Sequence, residues 1–430
     1  MKAVLLAAAA LIAVPFAPAM AETVAITNAR LAIGDGSGPV DGGTVVMRDG
    51  RIAAAGRGVA VPAGARVIDA EGKWVTPGLV AGFSRLGIVE VDGVRQTNDA
   101  SAGKSPFNAA LDVAPAVNPR TSAITLNRAE GVTRAVVAPE SDGSIFAGQG
   151  AVIDLGADMS PITKARAFQF VEFGEEGASQ AGGSRPATYA AFRNALAEAR
   201  DQAAGRRGDD ALLTRPDAAA LAPVVNGQVP LLAHVERGSD ILQALELKKE
   251  FPALKLVLVG ATEAWTVAAQ VKAAGVPVIA SALADLPASF ESLAATQSNI
   301  GRLRNAGVTV GIGMINDNDA RQARQVKQYA GNLVALGKIP GAAGLDWGAA
   351  LATITSLPAE AIGMGGEIGS LRPGRRADVV IWDGDPLELS TAVLSVWIDG
   401  VEQPLRTRQD KLRDRYRTAN DGALPKAYER

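Results

Sequence analysis

Few side chains in this sequence can do chemistry that water cannot. There is no Cys, so thiol catalysis and disulfides are both excluded. There is one His, His234, at the end of the apolar run Leu231-Leu232-Ala233-His234-Val235. An imidazole there could move protons near neutral pH or give a lone pair to a metal, although a solitary His is commonly a hydrogen-bonded core group. Glu263 follows in Gly-Ala-Thr-Glu-Ala-Trp, where strand gives way to helix, with Thr262 placed to cap that helix. The same place could turn Glu263 towards a ligand. Asp317 and Asp319 precede a helical pattern, where capping is their simpler role. His234, Glu263 and one of Asp317 or Asp319 would supply three ligands, enough for a single zinc or similar divalent ion if they converged. Their spacing forms no established linear motif. Lys164 and Glu172 lie in a stretch of unclear register and read as solvated charges.

The elements that must position these groups fall into two textures. Residues 23–75 look like short strands joined by tight turns at Asp49-Gly50 and Glu71-Gly72, and the texture returns near Asp383-Gly384 and Asp399-Gly400. Two separated groups of hairpins complete one small sheet only if the chain between them is compact and brings its ends together. That middle alternates apolar strands (79–83, 131–139, 229–235, 254–260, 275–281, 307–313) with helical patterns (189–204, 240–251, 263–274, 320–337). The alternation predicts a parallel sheet covered on both faces. The glycines of 148–156 lack the spacing of a phosphate loop and suit a turn around a strand. Residues 90–130 and 156–188, rich in Gly, Pro, Ser and Asn, read as long loops over one end, and their strands are not assigned.

In order along the chain, GKWVTPGLV (72–80), EGVTRAVVAP (130–139), LLAHV (231–235) and AEAIGMGGEIGSLRPGRRADVVIWDGDPLE (359–388) resemble the amidohydrolase superfamily, in its secreted imidazolonepropionase-like and dipeptidase-like branch. The resemblance implies an α/β fold, a distorted (β/α)8 TIM barrel with a small β-sandwich domain built from both chain termini. It also implies metal-dependent hydrolysis of amides, lactams or ureas, because an amide is a poor electrophile and neutral water a poor nucleophile. The domains expected are 22–77 and 369–410 for the two parts of the β-domain, 78–368 for the barrel and 411–430 for a tail.

Matched residue by residue, the ligands of that family are mostly replaced. The acidic position after Pro77-Gly78-Leu79 is Ala81, and the two His positions are Phe83 and Arg85. Arg85 cannot ligate a cation, but with His234 beside it could bind a carboxylate. His234 holds the place of the fifth-strand ligand, the next strand's His falls near Gly260 or Ala261, and the last-strand Asp is replaced at Gly313-Met314-Ile315. The reading is an amidohydrolase-like protein whose degenerate centre makes activity on dipeptide-like or non-peptide C–N bonds weak, redirected or lost. The alternative is a non-catalytic binding or partner subunit that retains the barrel. No cofactor is fixed by these residues.

The address and partners come from composition. Lys2, an apolar run and Ala19-Met20-Ala21 form a signal peptide over residues 1–21, implying a periplasmic or secreted protein without permanent membrane association. With 43 basic and 45 acidic residues and 4% aromatics, nothing favours nucleic acid. The partners expected are a small amide or carboxylate ligand and a second subunit, either a copy of the chain or a related metal-bearing one.

Overall fold

The computed structural model describes residues 22–91, 93–315 and 321–417. The expected signal peptide, Asp317 and Asp319 lie outside them. Among the described residues, no helix is long and apolar enough to cross a membrane.

The termini build one eight-stranded sheet. Its N-terminal strands are β1 (Val24–Leu31), β2 (Val40–Arg48), β3 (Arg51–Arg57), β4 (Arg66–Asp69) and β5 (Trp74–Pro77). Asp49 and Gly50 both take positive φ, 53° and 71°, the two-residue turn whose twist matches the β2–β3 hairpin. Asp399 and Gly400 repeat it, at 51° and 75°, between the C-terminal strands β15 (Val393–Ile398) and β16 (Val401–Glu402). The two halves are joined by β14 (Val379–Trp382), which runs antiparallel to β5.

The chain between them forms a second eight-stranded sheet, rolled into a barrel. Its strands are β6 (Leu79–Ser84), β7 (Val132–Val137), β8 (Phe146–Asp154), β9 (Ile162–Glu172), β10 (Leu231–Val235), β11 (Leu256–Gly260), β12 (Val278–Ala280) and β13 (Val310–Ile312). Neighbours are parallel except around β8, which runs antiparallel to both β7 and β9. The ring is completed indirectly. The Ile312 amide donates to Thr353 and the Val80 amide to Ile354, each at 2.8 Å, so a short segment is spliced between β13 and β6.

Inward-facing side chains fill the barrel, among them Phe83, Val136, Phe168, Phe170, Leu232, Val257, Val259 and Ile279. Ala359, Ile362 and Met364, from and just beyond the helix Ser356–Ala361, complete this cluster. Alternation along β9 and β10 puts Phe168, Phe170 and Glu172, and Leu232 and His234, on that same inner face. Residues 162–172, where no strand was assigned, are therefore a barrel strand; the charged start ITKAR masks the apolar alternation that follows. The 263–274 pattern is a short 3-10 turn, Ala264–Val267, followed by the helix Ala268–Ala273.

Barrel and terminal sheet are tied by Arg134, which is fully buried on β7. Its guanidinium meets Asp378 through Nε at 2.7 Å and Nη2 at 2.8 Å, Asp399 at 2.8 Å and the Thr163 hydroxyl at 2.6 Å. Asp154 of β8 lies 3.6 Å from Nη1. The fork of donors in Arg suits such a multiple junction, and each carboxylate offsets the cost of burying the cation.

Candidate functional site

His234 is the last residue but one of β10, with its side chain 17% exposed at the C-terminal end of the barrel strands, where sites on this architecture form. Nδ1 lies 2.6 Å from Oε2 of Glu172, which ends β9, and Nε2 lies 3.0 Å from Oε1 of Glu236, two residues further along its own chain. The other Glu236 oxygen accepts the Thr262 amide at 2.8 Å. Burial works against a charged imidazole here, but the Glu172 carboxylate and then Glu236 hold the His234 value well above the ordinary 6.5. For Glu236 burial also opposes charge, and its contact with His234 and the Thr262 amide outweighs that, lowering its value.

Gly260 explains how this fits. Its φ is +80°, and a Cβ there would collide with the Glu236 carboxylate and come within 2.9 Å of His234 Cδ2. The space beside Gly260 is thus filled by Glu236, reached from the neighbouring strand.

The remaining expected residues do not join this group. Glu263 is turned away: Oε2 accepts the Gly238 amide and Oε1 the Ala294 amide, both at 2.9 Å, so it clamps two loops. Glu263, and not Thr262, stands at the N-terminus of the following turn, and neither the expected Thr262 cap nor any other side-chain cap bond forms there. Phe83 packs on Phe170 with ring centroids 5.4 Å apart. Arg85 lies over Phe83 and faces Glu140, with Nε 3.7 Å from Oε2. Met314 and Ile315 are buried apolar side chains, as expected. Glu172, read from sequence as a solvated charge, is instead buried against the imidazole. Lys164 lies on the exposed part of β9.

The described residues do not fit a divalent-metal centre. Phe83 and Arg85 offer no ligand atom, Gly260 has no side chain, the Glu263 oxygens hold backbone amides, and each ring nitrogen of His234 faces a carboxylate. Among the described residues, no group of three or more His, Asp or Glu is arranged to hold a metal ion.

Glu291, in the loop after β12, sits close enough to His234 to feel its charge. It accepts the Glu175 amide at 2.8 Å and pairs with Arg185 at 3.1 Å, and Arg185 in turn meets Asp240 at 2.8 Å. Burial raises the Glu291 value. A cleft of about 680 Å³ opens elsewhere, between the loops after β6 and β7, and includes Arg95, Asn98, Lys104 and Asp142. Its lining shares no residue with the His234 group.

The arrangement can hold a proton between two carboxylates and can present hydrogen-bonding groups to a ligand at the barrel end. Sequence reasoning missed Glu236 and read Glu172 as a solvated charge. The signal for Glu236 was its i, i+2 spacing from His234, which puts both on one face of an extended chain.

The chain is similar to several known proteins. The model of the amidohydrolase family (Amidohydro_3) matches residues 296–402. Amidohydrolase tasK of Hapsidospora irregularis is 28% identical over 381 residues, covering 80% of this chain and 38% of that protein. The chain therefore spans well under half the length of that curated relative. An amidohydrolase from Thermotoga maritima MSB8 shares 25% identity, covers 88% of this chain and 99% of its own, and superposes with a TM-score of 0.76. Molinate hydrolase shares the fold at 19% identity, with 90% and 95% of the two chains covered and a TM-score of 0.56. The barrel with its two-ended terminal sheet, the matched C-terminal region and these relatives all support the amidohydrolase superfamily.

Proposed function

We propose that this is an exported amidohydrolase-type protein that receives small amide or dipeptide-like compounds at the C-terminal end of its barrel, with hydrolysis of their C–N bonds weakened, redirected or lost. Kinship supports the class of bond: relatives in sequence and fold are named amidohydrolases, molinate hydrolase and phenylurea hydrolase B. One observation carries the second half, the engagement of both His234 ring nitrogens by Glu172 and Glu236. A ring nitrogen that hydrogen-bonds a carboxylate through its proton has no lone pair for a metal. The ligand side favours a neutral amide over a carboxylate, because Arg85 already faces Glu140 and the groups around His234 are mostly acidic. Export rests on the Lys2-to-Ala21 pattern alone.

The second reading is a partner subunit without turnover of its own, which the engagement of both His234 ring nitrogens by carboxylates also suits.

The test is a panel of cyclic amides, ureas and dipeptides on the mature protein, with binding followed by calorimetry and turnover followed before and after chelation. Saturable binding with turnover absent, or slow and indifferent to chelator, is expected. Turnover abolished by chelation and restored by a divalent ion would overturn the proposal.

A further inference from the structure

We propose that the helix Arg408–Tyr416 is a docking surface for an anionic phospholipid bilayer, engaged through the row Arg408, Lys411 and Arg415. The helix shares no residue with the barrel-end group, and its role holds whether or not that group turns anything over.

The placement of charge is the first ground. Residues 406–417 hold six basic and two acidic residues, in a chain whose formal charge is −2. Spacings of three and four put Arg408, Lys411 and Arg415 on one face of the helix. The acidic residues are engaged elsewhere. Asp410 closes a capping box with Thr407, accepting its amide at 2.9 Å, while Asp414 meets Arg406 at 2.5 Å and Arg413 at 3.4 Å. Among the described residues, the side chains of Arg408, Lys411 and Arg415 make no ion pair or hydrogen bond. Like charges at this spacing repel, and an array of anions laid against the row would relieve them.

The row is also held out for contact. No residue of the helix is buried; Arg408 and Lys411 are exposed and Arg415 is half-buried. Its root is fixed, because Arg128 Nε donates to the Pro404 carbonyl at 3.2 Å and Leu405 packs on the barrel core.

Shape and composition select the partner. Side chains fan outward from a helix, so this row cannot close round one small anion, but it can meet many anions spread over a plane. Leu412 and Tyr416, four apart, border the row, and Tyr416 is 56% exposed. Such an edge beside a basic row suits the depth at which headgroups meet acyl chains, a layer that an acidic protein surface lacks. Each cation at an anionic membrane surface strengthens binding about five-fold, hence on the order of 100-fold for the three.

The test sediments the mature protein with vesicles of phosphatidylcholine alone, or of equal parts phosphatidylcholine and phosphatidylglycerol. Binding to the mixed vesicles only is expected, falling at least about tenfold between about 0.1 and 0.5 M salt. Combining Arg408→Gln, Lys411→Gln and Arg415→Gln should weaken it on the order of 100-fold. Lys249→Gln, Lys255→Gln and Lys338→Gln together remove the same charge from exposed positions elsewhere and should leave it intact. The proposal is overturned by no binding to the mixed vesicles, by equal binding to both kinds, or by an equal loss in the two triple variants. Retention on a polyglutamate resin without vesicle binding would also overturn it, in favour of an acidic protein partner. If the helix variant fails to fold, the two vesicle types and the lysine variant still decide.

Discussion

Arg134 and His234 are both cations enclosed by carboxylates, one against the terminal sheet and one at the open end of the strands. Arg134 is fully buried, spends its donors on Asp378, Asp399 and Thr163, and cannot lose its charge under ordinary conditions. His234 is 17% exposed, has two donors at most, and carries a charge that exists only while its neighbours hold it. The difference teaches which kind of cation each place requires. A joint between two sheets calls for a charge that never titrates, whereas a ligand-facing centre can use one whose proton is negotiable.

Variants can break or sharpen this contrast. The largest effect is expected from Arg134→Met, which leaves Asp378, Asp154 and Asp399 facing one another without their cation. Loss of about 3–5 kcal/mol in a urea titration is expected. A loss under about 1 kcal/mol would remove Arg134 from the role of joint.

His234→Gln should cost about 2–3 kcal/mol, and its cost should fade at alkaline pH where that of Arg134→Met does not. The His234 value is raised, so its contribution is complete below 6.5 and fades as pH climbs through the raised value. The Glu236 value is lowered, so its contribution is complete above 4.5 and fades as pH falls through the lowered value. The gap between unaltered and variant proteins should therefore be widest from pH 4.5 to 6.5, as followed by melts across buffers. A gap that persists undiminished at alkaline pH would make the two cations alike after all.

Gly260→Ala tests the fit of the His234 group without touching its charges. Positive φ and the collision with Glu236 together should cost about 1–2 kcal/mol and lower the His234 titration. Asp154→Asn should have the smallest effect, and in the opposite sense. Burial is the main influence pushing Asp154 up, from 3.8 to about 6, despite Arg134 nearby. The folded protein thus takes up that proton sooner than the unfolded chain, and stability falls as pH rises from 3.8 to about 6. The Asn variant should lose that slope and gain about 1 kcal/mol at neutral pH in thermal melts.

Much of the scaffold could be read ahead of the structure because periodicity survives without partners. The apolar runs at 79–83, 131–139 and 307–313 became β6, β7 and β13, and Asp49-Gly50 and Asp399-Gly400 became tight turns. That Phe83 and Arg85 offer no ligand atom for a metal was visible too. What stayed hidden depends on chain brought from far away. Arg134 stands out as a charge inside an apolar strand, but its partners Asp378 and Asp399 lie 244 and 265 residues on. Glu172 was obscured because the lysine and arginine at the start of β9 made the segment look like loop. Glu263 looked like a site residue from its place after β11, and only folding shows that two amides claim it.

The splice of Thr353 and Ile354 between β13 and β6 also sets where the wall is thinnest. Elsewhere each strand is zipped to its neighbour along several residues, but this seam hangs on single amides at Ile312 and Val80, with a third bridge from Met314 to Phe83. Such a wall parts first along its seam when the molecule breathes. Phe83 and Ile315 line that same gap, so a transient opening there would wet the barrel interior from the side and leave the His234 group, across the ring, undisturbed.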